Sequence, residues 1–475
     1  MNPPFTRSVG GSQLLGSLEG AAFTKARERL KELVNRPDVP ATLTAGLGAP
    51  FVELAIRCLR PGGRLALVLP KTVLTGEAWG HTRERLATSC QVEYIITSHE
   101  TDHWNFSDST DLSEVLLIAR RWKVIESREQ ATTTWVALHR NPRTSVEALG
   151  QVAAIRRAGV PSAKGMPIAV RADLEGEIGE TFSRPAPTNA RPWRHGTFSR
   201  AVLDAAAESL LNGGSVALPR LTKNVEIPLK ALGDFARLGY DRRDITDAFE
   251  LVGTPHGYPA LWGQDANTVS TLQLTANAEL SPRSTPAPNR VRIKSPDAVW
   301  QSAGRLVIAE RCRATTYRCV AGVLPDRAVS NTYWSVSLLS GDAADDQILA
   351  LWLNSSLGIL GYLGAAEETE GPWVAMKKKK LTTLRVLSPV ALDREQRAVL
   401  AVAWKQLRHE PLRPISQLHA DSTRRRIDAA LASVLGIKEE VLAGLRDLLG
   451  SEPRFRPATA THAIVRPDAS QQPLC

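Results

Sequence analysis

The chain has 475 residues, enough for two to four domains, and its 59 Lys and Arg against 49 Asp and Glu leave a formal charge of +10. With 43% apolar and 23% charged residues it has ample material for buried cores, which excludes disorder throughout. The most apolar runs, such as Leu65–Leu69, fall far short of the roughly 20 residues a membrane helix needs, and Met1-Asn2-Pro3-Pro4-Phe5 begins no basic-then-apolar signal.

Residues 11–35 read as a helix, with Leu14, Leu15, Leu18, Ala22, Ala26, Leu30 and Leu33 near helical spacing. A Pro/Gly/Thr-rich loop over 36–48 precedes a second helix over 50–59, stopped by Pro61-Gly62-Gly63. Arg64–Leu69 is a continuous apolar run ending in Pro70. Such a run reads as a strand covered on both faces, as in a parallel sheet. A helix over 77–89, a strand over 92–97, a polar loop over 98–111 and a strand over 112–119 follow. This order predicts an α/β fold, part of a doubly wound sheet, over residues 1–125.

Residues 126–199 read as a connection, although 132–138 has strand character. Residues 200–390 carry short apolar runs between Gly, Pro and Asn. They predict an α+β domain with strands over 305–310 and 332–338 and a helix over 345–360. Residues 391–450 read as helical, including 423–435 and 438–449, and 451–475 as a loose tail. The five cysteines at 58, 90, 312, 319 and 475 form no CxxC. This predicts a reduced, cytoplasmic protein with no disulfide frame and no metal centre. His99 and His103, four apart beside Asp102, fall in a loop and are not read as ligands.

Asn2-Pro3-Pro4-Phe5 is the sharpest motif. The exocyclic amine of a nucleobase is a poor nucleophile because its lone pair is delocalised into the ring. Two acceptors aimed at its N–H bonds draw the nitrogen toward tetrahedral geometry. Asn2 offers a side-chain oxygen, and Pro3 offers a main-chain carbonyl held by the fixed φ of consecutive prolines. Phe5 offers a stacking face for a base turned out of the duplex. The plain alternative is a proline-stiffened start followed by a helix.

The motif resembles that of SAM-dependent amino-methyltransferases acting on adenine N6 in DNA. Later segments resemble the same catalytic domain in order: Leu59–Arg64 leading into Leu65–Pro70, then Pro70-Lys71-Thr72-Val73-Leu74, then Phe106-Ser107-Asp108-Ser109-Thr110 before the strand beginning near Glu114. The resemblance implies catalytic residues Asn2, Pro3, Pro4 and Phe5, with Phe106 or Trp104 helping to hold the base. Leu351–Gly358, Leu381–Leu387 and the helical pair from Arg426-Ile427-Asp428 to Leu449 resemble the target-recognition region of type I and type IIG restriction-modification enzymes. That implies double-stranded DNA as partner.

The resemblance also implies S-adenosyl-L-methionine as cofactor, yet the Gly-rich loop that holds it should lie upstream of the tetrapeptide. Gly213-Gly214 and the Gly253–Gly257 segment are poor substitutes. The expectation is a partial catalytic domain completed by a second polypeptide, or a fragment of a longer chain. It would be inactive without the missing half. The alternative is a non-catalytic DNA-recognition subunit of such a complex.

Residues 281–330 hold nine Arg and Lys against three acids. Arg311, Arg313 and Arg318 are the candidates there for DNA contact, and Lys377, Lys378, Lys379 and Lys380 for phosphate anchoring. For both groups a solvated basic surface is the competing meaning, as it is for Arg424-Arg425-Arg426.

Overall fold

The computed structural model describes residues 1–3, 18–34, 36, 43–101, 103, 105–107, 112–123, 128–158, 167–172, 176–221, 223–252, 257–263, 269–288, 290, 292–368 and 373–455. The fold is α/β. Its first unit is a six-stranded sheet built from β1 (Arg64–Pro70), β2 (Cys90–Ser98), β3 (Glu114–Arg121), β4 (Thr132–Leu138), β5 (Ile168–Ala172) and β6 (Gly176–Pro185), in the spatial order β1-β3-β2-β4-β6-β5. β3 lies between β1 and β2 and runs antiparallel to both. β2 and β4 are parallel, and β6 is antiparallel to β4 and β5.

This differs from the reading of β1 as a strand covered on both faces of a parallel sheet. Leu65, Leu67 and Leu69 are buried, whereas Ala66 is exposed and Val68 half-buried. The run is apolar throughout, but its large side chains all fall on one face, at the period-two spacing of a strand. The leucines pack under helices Gly48–Cys58 and Gly80–Ser89 through Val52, Ile56 and Leu86. Residues 126–199 are likewise no mere connection. They add β4, β5 and β6 to the same sheet, and Trp135 and Phe182 join its core. Of the helix expected over 11–35, Gly20–Val34 is described.

On the opposite face, β2, β3 and β4 are partly covered by helix Ser145–Ala158. This leaves a groove of about 480 Å³ bordered by Tyr94, Ile96, Ile118, Val152 and Ile155.

The second unit holds a seven-stranded sheet in the order Ala236–Leu238, Tyr333–Leu338, Gly304–Ala309, Ala321–Ser330, Tyr258–Leu261, Ala278–Pro282, Phe249–Val252. One continuous core runs from Phe198 to Phe455 and takes in helices Arg394–Leu407, Ser422–Leu435 and Glu439–Gly450. The regions expected as separate, 200–390 and 391–450, therefore share their interior.

The helix expected over 345–360 is broken. Ala343–Asn354 and Ser356–Ala365 meet at 77°. Ser355 ends the first and caps the second, its hydroxyl accepting from the Gly358 N–H. A Cβ on Gly358 would stand 1.9 Å from the Trp352 carbonyl oxygen, so the corner requires glycine. Among the described residues no single helix is long and apolar enough to cross a membrane.

The two units touch at polar contacts. The buried Lys71 ammonium, just beyond β1, pairs with Glu368 at 2.9 Å. Thr101 donates to the Pro453 carbonyl at 2.9 Å, and Glu77 pairs with Lys379.

Candidate base-binding site at the open edge of the first sheet

β1 is an edge strand. Among the described residues its free side is met by Met1: the Met1 ammonium donates to the Ala66 carbonyl at 2.7 Å, and the Val68 N–H donates to the Met1 carbonyl at 3.1 Å. Those two bonds are the pair that a parallel neighbouring strand makes around Leu67. They bring Asn2 and Pro3 toward the carboxyl end of β1, the end of an α/β sheet where ligands usually bind.

There the Asn2 Nδ2 donates to the Ser107 hydroxyl at 3.2 Å. The contact holds the amide against the loop that carries Ser107, and Oδ1 accepts no hydrogen bond among the described residues. Pro3 is buried. Pro4 and Phe5 lie outside the described residues, as does Trp104.

Phe106 is half-buried on the second face of the sheet, against the cluster of Ile96, Val136 and Leu138 with Tyr94 and Leu116. The loop carrying Phe106 and Ser107 is held from several sides. Glu114, wholly buried at the start of β3, accepts from the Phe106 and Ser107 N–H groups at 2.6 and 2.9 Å through one oxygen. Asn141 donates to the carbonyls of His103 and Asn105 at 2.7 and 3.0 Å, and its own N–H donates to Glu100 at 2.8 Å. Asn105 donates to the Ser107 carbonyl at 2.9 Å. Sequence reasoning overlooked Glu114 and Asn141. The usable signal was an acid opening an apolar strand, which needs donors once buried. The other Glu114 oxygen is buried with no hydrogen-bond partner among the described residues.

The cationic candidates are placed differently. Arg311 is exposed, with its guanidinium 5.6 Å from the centre of the Trp373 ring. Arg313 is half-buried on the same short strand, opposite Trp373. Arg318 turns inward, where it donates to the Leu412 carbonyl at 3.4 Å while its own carbonyl accepts from Arg424. Lys377 and Lys380 flank the buried Glu367 carboxylate at 2.6 and 3.2 Å. Burial lowers the Lys380 pKa to about 8 despite that neighbour. Lys378 donates to the Gly239 carbonyl at 2.8 Å beside the Tyr240 ring, and Lys379 pairs with Glu77 of the first unit. All four lysines thus have partners within the chain. Arg424 is fully buried on Asp421 at 2.6 Å, so the three-arginine run is not one basic surface.

Two motifs singled out for target recognition meet inside the second unit. Asp428 accepts from the Ser356 N–H at 2.8 Å and the Ser356 hydroxyl at 2.7 Å, and pairs with Arg446 at 2.7 Å. Asn354 accepts from the Val320 N–H at 2.8 Å and donates to the Ala321 carbonyl at 2.6 Å. These residues fasten the helices to the sheet.

Among the described residues no strand runs through a Gly-x-Gly turn into a helix, so they do not fit S-adenosyl-L-methionine by themselves. Nor do three His, Cys, Asp or Glu side chains gather as a metal set among them.

No family model and no curated protein matches the chain. Solved structures do. It is similar to the type IIG restriction endonuclease BpuSI (16% identity, TM-score 0.37, covering 92% of this chain and 53% of that one). It is similar to the type IIL restriction-modification enzyme MmeI in complex with DNA (12% identity, TM-score 0.38, covering 94% and 56%). It is also similar to the M protein of the type I restriction enzyme EcoKI (17% identity, TM-score 0.21, covering 34% and 29%). The chain spans about half the length of the first two, and these structural neighbours are restriction-modification enzymes and a modification subunit.

Proposed function

We propose that the chain is the base-gripping and DNA-reading part of an adenine-N6 DNA methyltransferase of restriction-modification type, completed by a donor-holding part that the described residues do not contain. The observation that carries this reading is the Asn2 amide, held against Ser107 at the carboxyl end of β1. Asn2 Oδ1 and the Pro3 carbonyl accept the two N–H bonds of an adenine turned out of the duplex, which localises the nitrogen lone pair. Phe5, with Phe106 or Trp104, stacks on the base. S-adenosyl-L-methionine, held elsewhere, supplies the methyl group. The second unit contacts duplex DNA, with the exposed Arg311 its foremost cation. Lys71–Glu368 and Thr101–Pro453 tie that unit to the base-gripping end.

The second reading, a recognition subunit without catalysis, is favoured by the missing cofactor cradle among the described residues. Methyl transfer from tritiated S-adenosyl-L-methionine to duplex DNA, by the protein purified from its complete chromosomal locus, separates the two. Asn2→Ala should abolish incorporation and leave duplex binding, read by fluorescence anisotropy, unchanged. Undiminished incorporation in Asn2→Ala refutes the first reading. Absence of incorporation by the unaltered complex, with binding intact, favours the second.

A further inference from the structure

The register at the open edge assigns a role to a residue outside the tetrapeptide. In β1 the backbone groups of Ala66 and Val68 point outward, as their bonds to Met1 show. Those of the odd-numbered residues point toward β3, and at the strand's end the Lys71 N–H donates inward to the Ser113 carbonyl at 2.7 Å. A parallel ladder that has placed Met1 beside Leu67 next brings residue 3 beside Leu69. Two bonds would form there: from the N–H of residue 3 to the Val68 carbonyl, and from the N–H of residue 70 to the carbonyl of residue 3. Residue 3 is proline and residue 70 is proline, and neither has an N–H. The ladder therefore stops after one residue. Among the described residues nothing donates to the Pro3 carbonyl.

We infer that Pro70 is a positioning residue: by withholding a backbone donor from the place opposite Pro3, it keeps that carbonyl free for the amine of a bound base. This rests on the base-gripping reading above, and it explains a proline at the end of a strand whose outward groups are otherwise ready to pair. A buried carbonyl beside a free N–H would be claimed by it, because the pair forms within the fold at no cost in association.

The test is Pro70→Ala, with Pro70→Val as a second variant better suited to strand geometry. Each adds one amide at the place in question. Hydrogen–deuterium exchange of the full chain, read by mass spectrometry with fragmentation to single amides, should find the new amide slowed by about 100-fold or more relative to an unstructured peptide. The neighbouring Lys71 amide, bonded to Ser113 in every variant, reports that the strand end is intact. In the complete methylating complex, kcat should fall by about 10²-fold while KM for duplex DNA stays within about twofold. Lactic acid placed at position 70 by nonsense suppression, which gives an ester with no N–H, should restore kcat. A residue-70 amide that exchanges freely beside a protected Lys71 overturns the inference, and so does an unchanged kcat. Neither result touches the base-gripping reading, which stands or falls on Asn2→Ala.

Discussion

The polar knot inside the second unit and the open edge of the first put hydrogen-bonding groups to different uses. In the second, Ser356, Asp428 and Arg446 are buried and bonded to one another, and Asn354 is bonded to the sheet beneath it. In the first, Met1 alone among the described residues bonds to the outward backbone groups of β1, and one face carries an open groove. Hydrogen-bonding capacity that is consumed inside a core holds a shape. Capacity held in place but left open is available to a ligand or to another strand. The same residue type illustrates both: Asn354 is wholly buried and bonded through both ends of its amide, whereas the Asn2 side chain has one partner, Ser107, among the described residues.

The contrast is broken most severely by Asp428→Ala. This strands the Arg446 guanidinium in the interior and should cost about 3–5 kcal/mol, read as an earlier urea transition confined to peptides of residues 198–455. If the first unit melted together with the second, the two would be one cooperative body.

Acid should strike the first unit instead. His195 packs edge-on against Trp135 and Phe182, and burial, reinforced by Arg184, lowers its pKa to about 4. The folded imidazole stays neutral where the unfolded one is charged. The stability it confers is therefore present above about pH 6.5 and is lost as pH falls toward 4, by up to roughly 3 kcal/mol. His195→Phe should move the acid limb of the stability curve to lower pH, and an unmoved limb would assign acid sensitivity to another group.

Glu114→Ala should release the Phe106 and Ser107 amides at a cost of about 1.5–3 kcal/mol, seen as faster exchange at those two positions with the second unit unaffected. The smallest effect belongs to Lys379→Ala. Its pairing with Glu77 is exposed on both sides, so stability should change by less than about 1 kcal/mol. Held by Glu77, Lys379 should leave the salt dependence of duplex binding unchanged. A slope reduced by about 1 would make it a phosphate contact after all.

Much of the fold was legible in the sequence, and the failures have physical causes. The strands at 64–70, 90–98, 114–121 and 132–138 were readable from apolar runs and their breakers. The pairing directions were not, because an apolar run conceals which side is open until the small residues, Ala66 and Val68, are set apart from the leucines. Strands at 168–172 and 176–185 were lost because Pro, Gly and Arg obscured their alternation. The break at Ser355 was missed because a serine inside an apolar stretch reads as one polar substitution, while its hydroxyl is in fact a cap. At the candidate site the tetrapeptide and Phe106 announced themselves by residue type, but Ser107 meets Asn2 through its hydroxyl from far along the chain and Asn141 holds the backbone of a distant loop, which spacing along the sequence does not reveal. The partners of the lysine run, Glu367 and Glu77, are set by tertiary structure, since spacing along the chain does not tell a solvated cation from a tethered one.

The short ladder beside β1 also governs how the molecule behaves in a crowd. An exposed strand edge invites a stranger's backbone, and long apolar edges seed fibres. Here the stretch available for such pairing is bounded by the charged Arg64, held by Glu93 at 2.8 Å, and by the ring of Pro70, and its middle is already taken by Met1. A backbone laid along this strand would meet Ala66 and Val68 already bonded to Met1 and, at its end, a proline with no N–H to offer.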